Sequence, residues 1–166
     1  MLGEYYCKLF AASFGLETVS LRYFNVFGPR QSLDNEYAVV IPKFITCILN
    51  DESPPVHSDG LQERDFTFVD NICEANIKAA SATGVSGEVF NVACGSANTL
   101  LDIVDSVNKI LKKDIKPVFE PKRAGDVRKT LADITKLRTK LGIKKFVDFD
   151  EGLKRTVEWF KDSHKL

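Results

Sequence analysis

Apolar residues recur at helical spacing from the start of the chain. Leu2, Tyr5, Tyr6, Leu9, Phe10 and Phe14 predict a helix over 2–14, closed by Gly15. Glu4 and Lys8 add an ion pair at i,i+4. No capping residue precedes this helix, so it reads as a helix entered part-way along its length. The β-branched and aromatic run ETVSLRYF, 17–24, predicts a strand, and Gly28-Pro29 stops it.

Further on, a helix is expected over 40–50, with Pro42 in its first turn and Ile45, Ile48 and Leu49 on one face. A short strand over 55–57 and a turn over SDGLQE follow. RDFTFV reads as a strand, and Asp70 as the N-cap of a helix over 71–82 that turns Ile72, Cys73, Ile77 and Ala80 inward. GEVFNVAC is another strand. Thr99 and Asp102 have capping-box spacing, ahead of a helix whose Leu100, Ile103, Val104, Val107 and Leu111 share one stripe. KPVFEP is a short strand and DITKLRTKLG a helix closed by Gly142. A last helix over about 150–162 turns Leu153, Val157 and Phe160 inward. Alternating strands and helices give an α/β fold class.

Composition narrows the function. The 166 residues are 44% hydrophobic and 28% charged, with 23 basic and 23 acidic side chains. That balance gives no ground for a nucleic-acid or membrane-surface partner. No run of 18 apolar residues marks a transmembrane helix. Cys7, Cys47, Cys73 and Cys94 are widely spaced in apolar surroundings, which predicts buried reduced thiols in a cytoplasmic protein and no metal site. No G-x-G-x-x-G, P-loop or G-x-S-x-G occurs, so neither a dinucleotide-phosphate turn nor a hydrolase elbow is present.

Three polar clusters remain as candidate chemistry. Arg22, Tyr23 and Asn25 end a strand; Asp59, Arg64 and Asp65 follow in DGLQERDF; Arg123, Asp126 and Arg128 stand in PKRAGDVRKTLAD. Guanidinium forks suit phosphate oxygens and a carboxylate suits sugar hydroxyls. Together these groups could hold a nucleoside diphosphate. The plain alternative is strand-end salt bridges and a solvated helix start. His57 ends a short strand, where it is either a site residue or an ordinary neutral histidine. His164, in the polar C-terminal tail, reads as exposed surface.

At these same residues the sequence resembles a known family. LRYFNVFGPRQ, VIPKFI, DG..ERDFTFVDN, FNVACG and RAGDVRKTLADITKLRTKLG occur in the order found in extended short-chain dehydrogenases/reductases. The similarity is to the NAD-dependent nucleotide-sugar epimerase/dehydratase group, of which UDP-glucose 4-epimerase is a well-known type. The resemblance implies that residues 1–30 form the tail of an NAD-binding Rossmann domain. Residues 31–166 would then be mainly a substrate-binding lobe with some returning Rossmann elements.

The resemblance also assigns roles. Tyr23 would lie near the nicotinamide end of the cofactor and Asn25 would bond the substrate diphosphate. The backbone at Val39 and Val40 would run beside the nucleotide. His57 stands at a position often aromatic in that family, near the uracil. Arg64 and Arg123 would bind phosphates, and Asp126 the ribose hydroxyls. Thr130 stands where the epimerase often has tyrosine.

The family's catalytic Tyr-x-x-x-Lys pair and glycine-rich loop are expected upstream of Met1, leaving no catalytic residue in this chain and no tight hold on NAD. The implied activity is epimerisation of a UDP-sugar at C4. A 4,6-dehydratase, a UDP-glucuronate decarboxylase, a non-catalytic binding module and one chain of a split enzyme are the alternatives. The strand at 17–24, an inner strand in such enzymes, is expected to drive self-association together with helix 2–14.

Overall fold

The computed structural model describes residues 1–33 and 40–163. Along the chain these form α1 (Leu2–Phe14), β1 (Val19–Tyr23), β2 (Val26–Phe27), α2 (Val40–Leu49), β3 (Pro55–His57), β4 (Glu63–Arg64), β5 (Thr67–Phe68) and α3 (Val69–Ser81). There follow β6 (Glu88–Val92), β7 (Asn98–Thr99), α4 (Leu100–Leu111), β8 (Val118–Glu120), β9 (Lys129–Thr130), α5 (Thr135–Lys140) and α6 (Phe149–Ser163). The fold is α/β, with short strands in several small sheets. β1 pairs parallel with β6, β2 with β5 and β3 with β8, while β4 lies between β7 and β9.

Two apolar cores form. In one, α2, α4 and α6 pack together through Ile45, Ile48, Ile103, Val107, Leu153 and Phe160, with Phe27 and Phe68 from the strands and Phe66 from the link between β4 and β5. The stripe read from the sequence of α4 faces this core, and the Thr99–Asp102 capping box forms in both directions. Gly152 allows α6 to lie against Phe68; a Cβ there would come within 2.9 Å of that ring. In the other core, β6 and α5 gather Phe90, Val92, Leu137 and Ile143 against Ile72 and Ala75 of α3.

α3 departs from the sequence expectation in two ways. Its N-cap is Phe68, and Asp70 lies inside the first turn. Asn71, Ile72 and Ala75 face inward, whereas Cys73, Ile77 and Ala80 are exposed. The helix carries two weakly apolar stripes, and a polar group fixes its rotation. Asn71 donates from Nδ2 to the Val147 carbonyl and accepts from the Val147 N–H, both at 2.9 Å. Burial of the cysteines is also corrected: Cys73 is exposed and the other three are only partly buried. α1 buries none of its residues, so its apolar stripe, Tyr5, Tyr6, Leu9 and Phe14 included, faces outward.

Asp65 joins the two cores. Its side chain is fully buried beside Phe66 of the first core. It accepts from the backbone N–H groups of Cys94 and Gly95, both at 3.0 Å, and of Ala132 at 3.3 Å. Burial raises the Asp65 carboxyl above its ordinary range, against the downward pull of those three donors. An amide in its place accepts at one atom only and turns N–H groups toward N–H groups. Asp65→Asn should therefore lower the unfolding free energy by about 3 kcal/mol, read from urea denaturation. An unchanged midpoint would mean that these bonds do not hold the cores together.

Candidate functional site

A cavity of about 890 Å³ opens between the β1–β2 end, α2, β3–β4 and the segment at 123–126. That volume is typical of small-ligand sites. Its inner wall is apolar: Phe27, Ile41, Phe44, Phe66, Val69 and Leu100. Its rim is polar and mainly cationic: Arg30, Lys43, Arg64 and Arg123, with Asp126 the one carboxylate among the described lining residues.

Backbone geometry places the groups at the strand end. Asn25 sits between β1 and β2 at φ 34°, in the left-handed region that asparagine tolerates better than most residues. Its Nδ2 donates to the Asp65 carbonyl at 3.0 Å, and its carbonyl accepts from the Thr67 N–H at 3.2 Å. Oδ1 and one Nδ2 hydrogen remain for a ligand. The bond to Asp65 carries the joint between the cores directly to the cavity.

Arg64 leaves β4 beside Thr130 of β9. Its Nη1 donates to the Glu63 carbonyl at 2.7 Å and its Nη2 to Asp126 in a short ion pair. A guanidinium has five N–H donors, so three stay available, and Asp126 keeps its second oxygen. The pair orients both groups without exhausting either. Arg30, Lys43 and Arg123 have no carboxylate partner among the described residues.

His57 closes β3 opposite Glu120 of β8. Its Nδ1 lies 3.2 Å from the Pro121 carbonyl and 3.3 Å from the Glu120 carboxylate. Gln62, buried on the cavity wall, donates from Nε2 to the His57 carbonyl at 2.9 Å. The turn between them is held by Arg128, whose Nη1 donates to both Asp59 oxygens at 2.7 and 2.8 Å. That contact, helped by the Leu61 N–H, pulls the Asp59 carboxyl below its ordinary range.

Of the residues singled out in the sequence, Asn25, Val40, His57, Arg64, Arg123 and Asp126 line this one cavity. Val39 lies outside the described residues. Tyr23 does not line it. It is half exposed at the end of β1, and its hydroxyl donates to Asn76 of α3 at 3.0 Å. Arg22 turns away to Glu4 of α1, with two bonds of 2.7 Å. Arg30, Lys43 and Gln62 were not foreseen. Lys43 carried a signal, as a lone cation in the otherwise apolar VIPKFI. Gln62 gave none, because a glutamine in a turn is ordinary.

Residues 1–93 match the NAD dependent epimerase/dehydratase family. The chain belongs to that family. It is 34% identical, over 99% of its length, to a putative UDP-glucose 4-epimerase of Methanocaldococcus jannaschii, and covers 52% of that protein. A UDP-N-acetylglucosamine 4-epimerase from Methanobrevibacter ruminantium, solved with UDP-N-acetylmuramic acid, is 45% identical with a TM-score of 0.89, over 96% of this chain and 51% of that one. UDP-glucose 4-epimerase of Thermotoga maritima, solved with UDP-glucose, is 38% identical with a TM-score of 0.90, over 97% of this chain and 51% of that one. The chain thus spans about half the length of the relatives it matches. Other family relatives are nucleotide-sugar decarboxylases and dehydratases.

The sequence contains no G-x-G-x-x-G, the spacing of the glycine-rich phosphate turn of a dinucleotide site. No Tyr-x-x-x-Lys occurs anywhere in the sequence. No described helix is long and apolar enough to cross a membrane.

Proposed function

We propose that this chain is the nucleotide-gripping part of an NAD-dependent UDP-sugar 4-epimerase, and that it does no chemistry alone. The observation that carries the reading is the charge of the cavity. Four cations and a single carboxylate line its described rim, which suits a ligand with two or more negative charges beside an apolar base. Two solved relatives, at 45% and 38% identity, hold UDP-linked sugars.

In this reading Arg123 and the free donors of Arg64 bind the diphosphate with Asn25. The second Asp126 oxygen accepts a ribose hydroxyl. Val40 runs beside the nucleotide, and His57 meets the base. The diphosphate grip would leave the sugar free to turn, and hydride exchange is the chemistry that NAD would supply to it. Residues 1–30 would belong to the cofactor side, with Tyr23 near the nicotinamide end.

A second reading, a binding module without catalysis, draws support from the absence of a Tyr-x-x-x-Lys pair and of a glycine-rich turn in these 166 residues. The outward apolar stripe of α1 supports self-association in either case.

Calorimetry tests the site. UDP should bind with one-to-one stoichiometry, and Arg123→Ala should weaken it at least tenfold, the effect of losing one charged hydrogen bond worth about 1.5–3 kcal/mol. No heat with UDP, dTDP or GDP would overturn the reading. The purified chain should carry no stoichiometric NAD and should not interconvert UDP-glucose and UDP-galactose; bound NAD or turnover would contradict the proposed division of labour. In sedimentation the same sample should run as a dimer or larger, and a monodisperse monomer would count against the role given to α1.

A further inference from the structure

Every polar atom of Asp65 is engaged, and each set of bonds reaches a different part of the chain. The N–H donates to the Thr130 carbonyl of β9 at 3.0 Å. The carbonyl accepts from Asn25 Nδ2 at 3.0 Å, just past the end of β1. Oδ1 takes the Cys94 N–H, and Oδ2 takes the Gly95 and Ala132 N–H groups. Cys94 and Gly95 follow the end of β6, and β6 pairs with β1 so that Val92 stands opposite Tyr23. Asp65 thus holds both strands of the β1–β6 sheet at the same end.

The groups that face the cavity stand around this residue. Asn25 is bonded to it and Arg64 precedes it. Asp126 lies on the segment that leads into β9, the strand that the Asp65 N–H holds. The β4–β9 register sets Arg64 opposite Thr130, and the Glu63 N–H donates to the Arg128 carbonyl at 2.8 Å. The Arg64–Asp126 ion pair closes across these two strands. A one-residue slip of β9 would carry Ala132 off the carboxylate and Asp126 off Arg64 together. Yet Asp65 does not itself line the cavity, and its side chain is fully buried.

We propose that Asp65 is a positioning residue for the nucleotide site: it never meets the ligand, but it sets Asn25, Arg64 and Asp126 in their gripping geometry and couples that grip to the β1–β6 sheet. This rests on the nucleotide reading of the cavity and adds to it the residue that aligns the grip with the sheet. Coupling between binding equilibria is reciprocal. A ligand that tightens Asn25 and the Arg64–Asp126 pair also tightens the bonds on the other side of Asp65. Those bonds belong to Cys94, Gly95 and Ala132, none of which lines the cavity.

Calorimetry with UDP on the 166-residue chain separates positioning from bulk stability. Asp65→Asn keeps the size of the side chain and removes one acceptor; it should weaken UDP binding at least about fivefold, the lower end for coupled sites. Leu137→Ala is the control. Leu137 is buried in the second core and does not line the cavity. Its truncation costs stability of the same order but should leave UDP affinity within about twofold of wild type. Both variants are measured where circular dichroism shows them folded. Unchanged affinity in Asp65→Asn, or equal weakening in Leu137→Ala, overturns this proposal and leaves the nucleotide reading standing. If Asp65→Asn does not fold, the wild-type chain decides. In nitrogen–proton correlation spectra, saturation with UDP should shift the backbone amide signals of Cys94, Gly95 and Ala132 and leave that of Leu141, in the same core, in place. Unmoved signals at the three amides overturn the proposal. No binding of UDP to the wild-type chain overturns both readings.

Discussion

A buried carboxylate accepting three backbone N–H groups is the joint on which this fold turns. Asp65 lies in the short stretch between β4 and β5, and its acceptors reach the end of β6 and the approach to α5. Neither core contains both ends of those bonds. Dispersion and burial hold each core together, but they are non-directional and do not fix how one core lies on the other. A carboxylate does so, because it is satisfied only when its donors stand at the right angles. Desolvation makes the ionised group costly there, which is why its carboxyl range shifts upward; it also makes any other arrangement of the same atoms more costly still.

The cavity inherits its shape from that joint. The Asp65 side chain faces the second core, while its carbonyl takes the Asn25 amide on the cavity side. Its neighbour Arg64 points into the cavity and is braced by Asp126 and by the Glu63 carbonyl. One dipeptide thus carries a structural and a cavity-facing charge on successive residues, as the alternation of an extended chain allows. The Asn25 backbone, at positive φ, bends the chain just where β1 of one core gives way to β2 of the other.

What could be read from the sequence follows the length of the signal. α4 and α6 show their faces over ten or more residues, and a stripe that long admits one rotation. The two-residue strands β7 and β9 are too short for any period, and their place is set by β4 lying between them. RDFTFV reads as one strand because its residue types are right, yet it splits at Asp65–Phe66 and passes into α3 at Val69. The face of α3 was misread because Cys73, Ile77 and Ala80 make as good a stripe as Ile72, Ala75 and Ala79. The choice between them falls to Asn71 and the Val147 backbone, 76 residues away, a contact that no local pattern contains. Asn25, Arg64 and Asp126 stand out in the sequence as members of polar clusters, but it is the family resemblance, not their spacing, that separates them from plain salt-bridge residues. Arg30 and Lys43 join them only through folding.

Charge pairing separates the cavity from the rest of the surface. The chain is formally neutral, and most of its ion pairs cancel locally. Arg22 meets Glu4, Arg128 meets Asp59, Lys136 and Lys140 share Glu88, and Arg155 lies between Glu151 and Asp70. Exposed pairs of this kind contribute little to stability. Their effect is on the field: a cation with its own carboxylate adds little to the potential a few ångströms away. Arg30, Lys43 and Arg123 lack such partners among the described residues and stand around one concave, apolar-walled space, where low-dielectric walls concentrate their field. A neutral chain can therefore hold a strongly attractive site for an anion, and net charge alone conceals it. The same segregation explains why Asp126 can remain among the cations: paired with Arg64, it costs the cavity one charge and returns an acceptor that a phosphate-only site would lack.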